Sequence, residues 1–114
     1  MAATRTNTSL FSGQTTTATS SAVNVATDYA REIYVSIVQV GSASTGASFY
    51  IQYSADGTNY NYQSAVFTCP TVAGTYNWSV QLPIGIEKVK MTFTAQSGGT
   101  SSTCTADLNE VTGV

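Results

Sequence analysis

S-F-Y-I-Q-Y-S-A-D-G-T-N-Y-N-Y-Q-S-A-V-F, from Ser48 to Phe67, is the stretch that decides the fold. Phe49, Ile51 and Tyr53 alternate with Tyr50, Gln52 and Ser54, the period of two that puts one face of a strand on a core and the other toward water. Asp56-Gly57 follows, a pair suited to a turn with positive φ. A second run rich in aromatic and β-branched residues then leads away through Tyr60, Tyr62, Val66 and Phe67. Strand, turn and strand together predict a β-hairpin.

The same period recurs on both sides of it. Upstream, R-E-I-Y-V-S-I-V-Q-V (Arg31 to Val40) sets Ile33, Val35 and Ile37 on one face and Tyr34, Ser36, Val38 and Val40 on the other, dense enough to predict a central strand whose second face is also partly covered. A loop of small residues, Gly41 to Gly46, joins it to the hairpin. Downstream, Pro70 ends ladder pairing and Gly74 opens a strand in which Tyr76, Trp78, Val80 and Leu82 share a face, with Trp78 expected in the core. Pro83-Ile84-Gly85 makes a turn. Val89, Met91, Phe93 and Ala95 then point inward, while Lys88 and Lys90 point to solvent as solubilising or edge-protecting charges. After a turn at Ser97 to Thr100, the run Thr103 to Val111 places Cys104, Ala106 and Leu108 in phase and is expected to pair with the strand before it. A helical turn is expected only around Ala26 to Arg31.

The first 27 residues are dominated by Thr, Ser, Asn and Ala, with apolar islands at Leu10-Phe11 and Val23 to Val25. Such composition does not by itself offset the entropy of ordering. Two readings stand side by side: a frayed terminus with an edge strand over Thr4 to Phe11, or an arm that docks on an adjacent subunit through Leu10 and Phe11. The expected organisation is a single domain, with a Thr/Ser-rich arm and edge strand over 1–27 and a sandwich over 28–114. In class it is an all-β antiparallel sandwich, Ig-like or jelly-roll-like, of roughly seven or eight strands.

Composition excludes several functions. Of the 114 residues 42% are hydrophobic and only 9% charged, so the polar surface is largely neutral. Arg5, Arg31, Lys88 and Lys90 do not cluster, which argues against nucleic acid and against an anionic membrane surface. No stretch has the length of a membrane span, and Met1 to Arg5 opens no signal core, so synthesis in the cytosol is expected. Cys69 and Cys104 read as two small buried thiols; without histidine or a C-x-x-C pair, no metal or cofactor is expected. Asp28, Glu32, Asp56, Glu87, Asp107 and Glu110 read as solvated acids near turns and strand ends. With the commonest catalytic base missing, the chain is expected not to be an enzyme.

Ser54-Ala55-Asp56-Gly57-Thr58-Asn59-Tyr60 departs from the Asp-box of sialidase propellers, S-x-D-x-G-x-T-W, because Gly57 follows Asp56 directly. It resembles instead the S-x-D-G-x-x-[WY] hairpin of small bacteriophage virion proteins with Ig-like or jelly-roll-like sandwiches. The wider order is similar too, with S-S-A-V-N-V at Ser20 to Val25, the apolar strand Ile33 to Val40, a Gly/Ser loop, G-T-Y-N-W-S-V at Gly74 to Val80 and a closing pair about Gly98-Gly99. This resemblance implies a non-enzymatic virion component, first a capsid decoration or cement protein and next a tail or fibre component. It implies the major capsid protein or other virion subunits as partners, and location on the virion. A homo-oligomer is expected, with a trimer as the natural guess for a shell site. Apolar side chains out of phase with a core need another cover, so Leu10, Phe11, Tyr34, Val38 and Val40 are the candidate interface. Asp56, Gly57, Asn59, Tyr60 and Tyr62 are candidate contacts at the hairpin tip. They also supply the competing reading, a carbohydrate-binding module in which Tyr50, Tyr60 and Tyr62 stack on sugar rings. A pilin-like or adhesin subunit is a third.

Overall fold

The computed structural model describes residues 4–26, 28–40, 43–83, 85–97 and 102–112. The Thr-rich start forms β1 (Thr4–Gln14), and each long alternating run is a strand: β4 (Asp28–Gln39), β5 (Ser48–Ser54), β8 (Gly74–Gln81), β9 (Lys88–Thr94) and β10 (Thr103–Thr112). Among the described residues, four two-residue strands complete the set: β2 (Ala18–Thr19), β3 (Val23–Asn24), β6 (Tyr62–Gln63) and β7 (Phe67–Thr68). All pairing is antiparallel. One sheet has the order β1-β10-β4-β8; the other has β2-β9-β5-β6, with β3 also on β9 and β7 also on β5.

The two sheets face each other across a single apolar layer. Ile33, Val35 and Ile37 of β4 and Cys104, Ala106 and Leu108 of β10 line one side; Phe49 and Ile51 of β5 and Val89, Met91 and Phe93 of β9 line the other. Phe49 stacks on Phe67 with ring centroids 5.0 Å apart and meets the edge of Trp78 at 5.1 Å. At the opposite flank Phe11 lies 6.3 Å from Phe93. Trp78 is in phase with the core as expected, but on an edge strand it is only half-buried.

Several sequence expectations are corrected. β10 does not form a hairpin with β9: it crosses to the other sheet and pairs with β1 and β4 along its length. Lys88 and Lys90 do not guard an edge, because β9 lies between β2–β3 and β5. Around Ala26 to Arg31 the described residues hold a turn and then extended strand, with no helical turn. Of the two readings of the first 27 residues, the edge strand over Thr4 to Phe11 is present as β1 on β10; β2 and β3 pair with β9, so the described part of this stretch belongs to both sheets and residue 27 is no boundary between it and the sandwich. The expected turn at Gly98-Gly99 lies outside the described residues.

The acids are not all solvated. Glu110 is 8% exposed and stands in register with Arg31, itself 6% exposed, whose guanidinium donates to the Val25 carbonyl. Gln39, 1% exposed, ties three segments together: its Nε2 donates to the carbonyls of Pro70 and Val72, and its Oε1 accepts from the Ala47 N–H. Buried polar groups persist where such partners satisfy them.

Candidate functional site

The solvent face of the four-stranded sheet is built from the out-of-phase residues of its strands. Register sets them in rows: Asn7, Asn109, Glu32 and Gln81; then Ser9, Asp107, Tyr34 and Ser79; then Thr105, Ser36 and Asn77; then Thr103, Val38 and Thr75. Short neutral polar side chains dominate, and Tyr34 stands out at 46% exposed, with Val38 at 40%. Tyr34 separates two shallow depressions, one of about 440 Å³ bordered by Arg5, Glu32, Gln81 and Asn109, the other of about 270 Å³ bordered by Ser36, Asn77, Thr105 and Asp107.

Hydrogen bonds hold the centre of this face. Ser79 Oγ and Tyr34 Oη, the latter at 3.0 Å, both donate to the Glu32 carboxylate. These two bonds, Ser79 first, hold the Glu32 carboxyl below its usual range, and the same carboxylate pushes the Tyr34 phenol up. The phenol ring is thereby fixed in orientation while its edge stays accessible. Val40, just past the end of β4, is 43% exposed and is clamped by Gln96, whose Oε1 accepts from Val40 N and whose Nε2 donates to Val40 O.

Leu10 and Phe11 do not belong to that face. β1 carries a bulge between Ser9 and Phe11, where the register skips a residue. The extra residue turns both adjacent side chains inward: Leu10 is half-buried against the core and Phe11 is 6% exposed within it. The proposed arm contact at Phe11 is therefore a core contact of this chain.

At the hairpin tip Asp56 is consumed by the turn. Its Oδ1 accepts from the N–H groups of Thr58 at 2.9 Å and Asn59 at 2.8 Å and from Ser54 Oγ at 3.1 Å; its Oδ2 accepts from Asn59 Nδ2 at 2.8 Å. The backbone bonds from Asn59 and Thr58 lead in holding its carboxyl far below the usual carboxylate range. Gly57 has φ +82°, and a Cβ there would lie 3.1 Å from the Glu87 carboxylate. Tyr60 lies beneath Lys90, whose Nζ is 4.1 Å from the ring centroid. Tyr62, 61% exposed, lies on β6 in register with Tyr53 of β5.

A depressed folded pKa means that the contribution of Asp56 is present above the unfolded value near ~3.9 and is lost only as pH falls through the folded value. The turn should accordingly keep slow amide exchange at Thr58 and Asn59 at pH ~4, where a free aspartate is half protonated. Asp56→Ala should raise exchange at these two amides at least ~tenfold at neutral pH. Equal exchange in the variant would show that the carboxylate does not hold the turn.

Cys69 and Cys104 are free and buried. Burial pushes the Cys69 thiol up, and burial with the neighbouring Cys69 pushes Cys104 up to about 12. Both stay protonated and unreactive near neutral pH. Among the described residues no three His, Cys, Asp or Glu side chains gather as a metal site.

Sequence reasoning missed Val72, exposed at 66%, which sits outside the alternating runs, so no period marks its direction. Val66, placed by sequence in the second hairpin run, lies between the short strands β6 and β7 and is 55% exposed.

No protein family and no curated protein matches the sequence. The fold does match solved structures. The SPBc2 prophage-derived protein YomS aligns with TM-score 0.57 at 14% identity, over 98% of this chain and 96% of that one. A structure of infectious bursal disease virus Gx strain aligns with TM-score 0.61 at 10% identity, and the VP2 subviral particle of infectious bursal disease virus with TM-score 0.57 at 12% identity. Each of these two matches covers 96% of this chain and 32% of the viral chain, so the chain spans about a third of their length. At such identities the likeness shows a common antiparallel sandwich.

Proposed function

We propose that the chain is a non-enzymatic structural subunit of a virion, of the capsid decoration or cement type, that binds the outer shell through the solvent face of its four-stranded sheet. The observation that carries this reading is the face itself: rows of Thr, Ser, Asn and Gln around an oriented, exposed Tyr34. Neutral short side chains cost little to desolvate, and a fixed tyrosine supplies contact area at low entropic cost. Its fold, shared with a prophage-derived protein and with a viral particle protein, supports the class. One such contact is small, but many copies on a repeating shell add up through avidity. The major capsid protein is the partner on this reading, and the virion is the location.

The ionisable groups support a role without catalysis. Asp56 is committed to its turn, Glu32 to Ser79 and Tyr34, and Glu110 is buried opposite Arg31. The carbohydrate reading is weakened because Lys90 occupies one face of Tyr60.

The test is co-sedimentation of the purified chain with heads of its source phage that lack it. Binding is expected, with a rise in the temperature at which the heads release their contents. Tyr34→Ala should weaken the binding at least ~tenfold, the effect of losing a central tyrosine from an interface. Absence of binding, or labelling confined to tails in electron micrographs of intact particles, would sink the decoration role; glycan binding that displaces no capsid contact would favour the competing module.

A further inference from the structure

Between Asp56 and Glu87 the sequence holds no charged side chain. This run builds β6 and β7 on the β5 side of one sheet and β8 at the edge of the other. Contacts of Phe49 with both Phe67 and Trp78 bring these edges to one flank of the sandwich. Tyr62, Val66 and Val72, three of the large exposed apolar side chains, belong to the same run.

β8 is an open edge of unusual regularity. Leu82 N donates to the Arg31 carbonyl at 3.3 Å, so the backbone groups of alternate residues back to Gly74 point at β4. The N–H and C=O groups of Thr75, Asn77, Ser79 and Gln81 therefore point away from it, and among the described residues β4 is the only strand that pairs with β8. Proteins usually blunt such edges with charge, proline, bulges or short length. The other edges here are blunted. β1 carries Arg5, two register shifts and Gly13 at φ +64°, whereas β2, β3, β6 and β7 have two residues each. β8 has eight residues, a continuous register with β4, no charge and no proline.

We infer that β8 pairs antiparallel with β8 of a second copy of this chain, about a two-fold axis at Trp78, joining two four-stranded sheets into one. In that register Thr75 opposes Gln81 of the second copy, and Asn77 opposes Ser79. Every outward N–H and C=O of the four residues then gains a partner. Trp78 meets its counterpart in a non-hydrogen-bonded pair, where Cα atoms lie about 4.5 Å apart. Tyr76 opposes Val80 on the same inner side. These three inner-side residues are half-buried in the isolated chain, and the pairing covers them.

Self-complementarity is what selects a second copy as the occupant. One register satisfies the whole edge, opposes only neutral residues, and sets no like charges against each other. The size suffices: eight residues at about 3.4 Å and a flank about 20 Å deep give roughly 500 Å² per copy, near the ~1,000 Å² total of a specific contact. An antiparallel edge pair is isologous and closes on itself, so it yields a dimer and not the trimer expected from sequence. The inference does not rest on the virion reading, and its test uses the chain alone.

Sedimentation equilibrium of the full chain from about 1 to 100 µM should show a monomer–dimer equilibrium, a range that spans specific contacts of this size. Asn77→Lys places two ammonium groups beside the axis on a solvent-facing position and should raise the dissociation constant at least ~tenfold. Thr105→Lys, on the same face but on central β10, should leave it unchanged, with both variants keeping the far-ultraviolet spectrum of the parent. In the dimer, exchange at the amides of residues 75, 77, 79 and 81 should slow and should recover on dilution. A monomer across that range, a trimer, or a dimer indifferent to Asn77→Lys would overturn the inference.

Discussion

Phe49→Ala is expected to lower the free energy of unfolding by about 3–5 kcal/mol, the range for removing a fully buried phenylalanine. Phe49 is 0% exposed and belongs to β5, in register with both Phe93 on β9 and Phe67 on β7. Its ring also reaches across the sandwich to the edge of Trp78, 5.1 Å away. Alanine forfeits the transfer free energy of the ring and leaves a hole walled by two sheets. Strands held in ladders on both sides cannot collapse into it, which puts the cost toward the upper end of the range. Urea denaturation followed by Trp78 fluorescence reads the loss directly as a lower midpoint, expected to fall by more than about 1 M. Phe67→Ala should cost less, because Phe67 is only half-buried. A loss below about 1 kcal/mol for Phe49→Ala would mean that the two sheets are not closed on each other at this ring. The outcome bears on function, since the same contact seats Trp78 and so sets the position of the open edge of β8.

The faces of the strands were legible from alternation alone. Ile33, Val35 and Ile37, and likewise Val89, Met91 and Phe93, are buried as their phase requires, and Tyr34, Val38 and Val40 are exposed for the same reason. Alternation says which side of a strand is apolar but nothing of its neighbours. The place of β10 between β1 and β4 depends on contacts distant in the chain, and proximity in sequence pointed wrongly to β9. Leu10-Phe11 misled because a bulge suspends the period of two over those residues. β2, β3, β6 and β7 have two residues each, too few to show a period. The turn at Asp56-Gly57 was readable because its interactions are local, whereas Arg31 and Glu110, buried in phase with Ile33 and Leu108, are set opposite each other only by the register of β4 and β10. Val72 carries no phase; the signal that could have marked its flank was the gap in charge from Asp56 to Glu87.

Gly46→Ala is expected to destabilise the chain by about 3–4 kcal/mol or to prevent folding, although it adds one methyl group. A Cβ on Gly46 would lie 2.0 Å from the Cys69 carbonyl oxygen and 2.8 Å from its carbon. Both are backbone atoms, so no side chain can swing aside, and relief requires the segments around 46 and 69 to separate by more than about 1 Å. Those segments are tied. Cys69 N donates to Ala47 O at 2.8 Å, Ala43 N to Thr71 O at 3.2 Å, and Gln39 bridges Ala47 to Pro70 and Val72. Separation strains or breaks these bonds, and the amide of Gln39, 1% exposed, would then be left buried without its partners. Gly46 has no positive φ, so the penalty comes from the close approach and not from backbone conformation. The diagnostic is a comparison with Gly85→Ala, at φ +91° with nothing within 4 Å of its Cβ, which should cost only about 1 kcal/mol through strain. If the two variants unfold at the same urea concentration, the connection from β4 to β5 does not press on the segment that leads into β8. If Gly46→Ala alone collapses, that contact is what anchors the start of β8, and with it the edge available to a second copy.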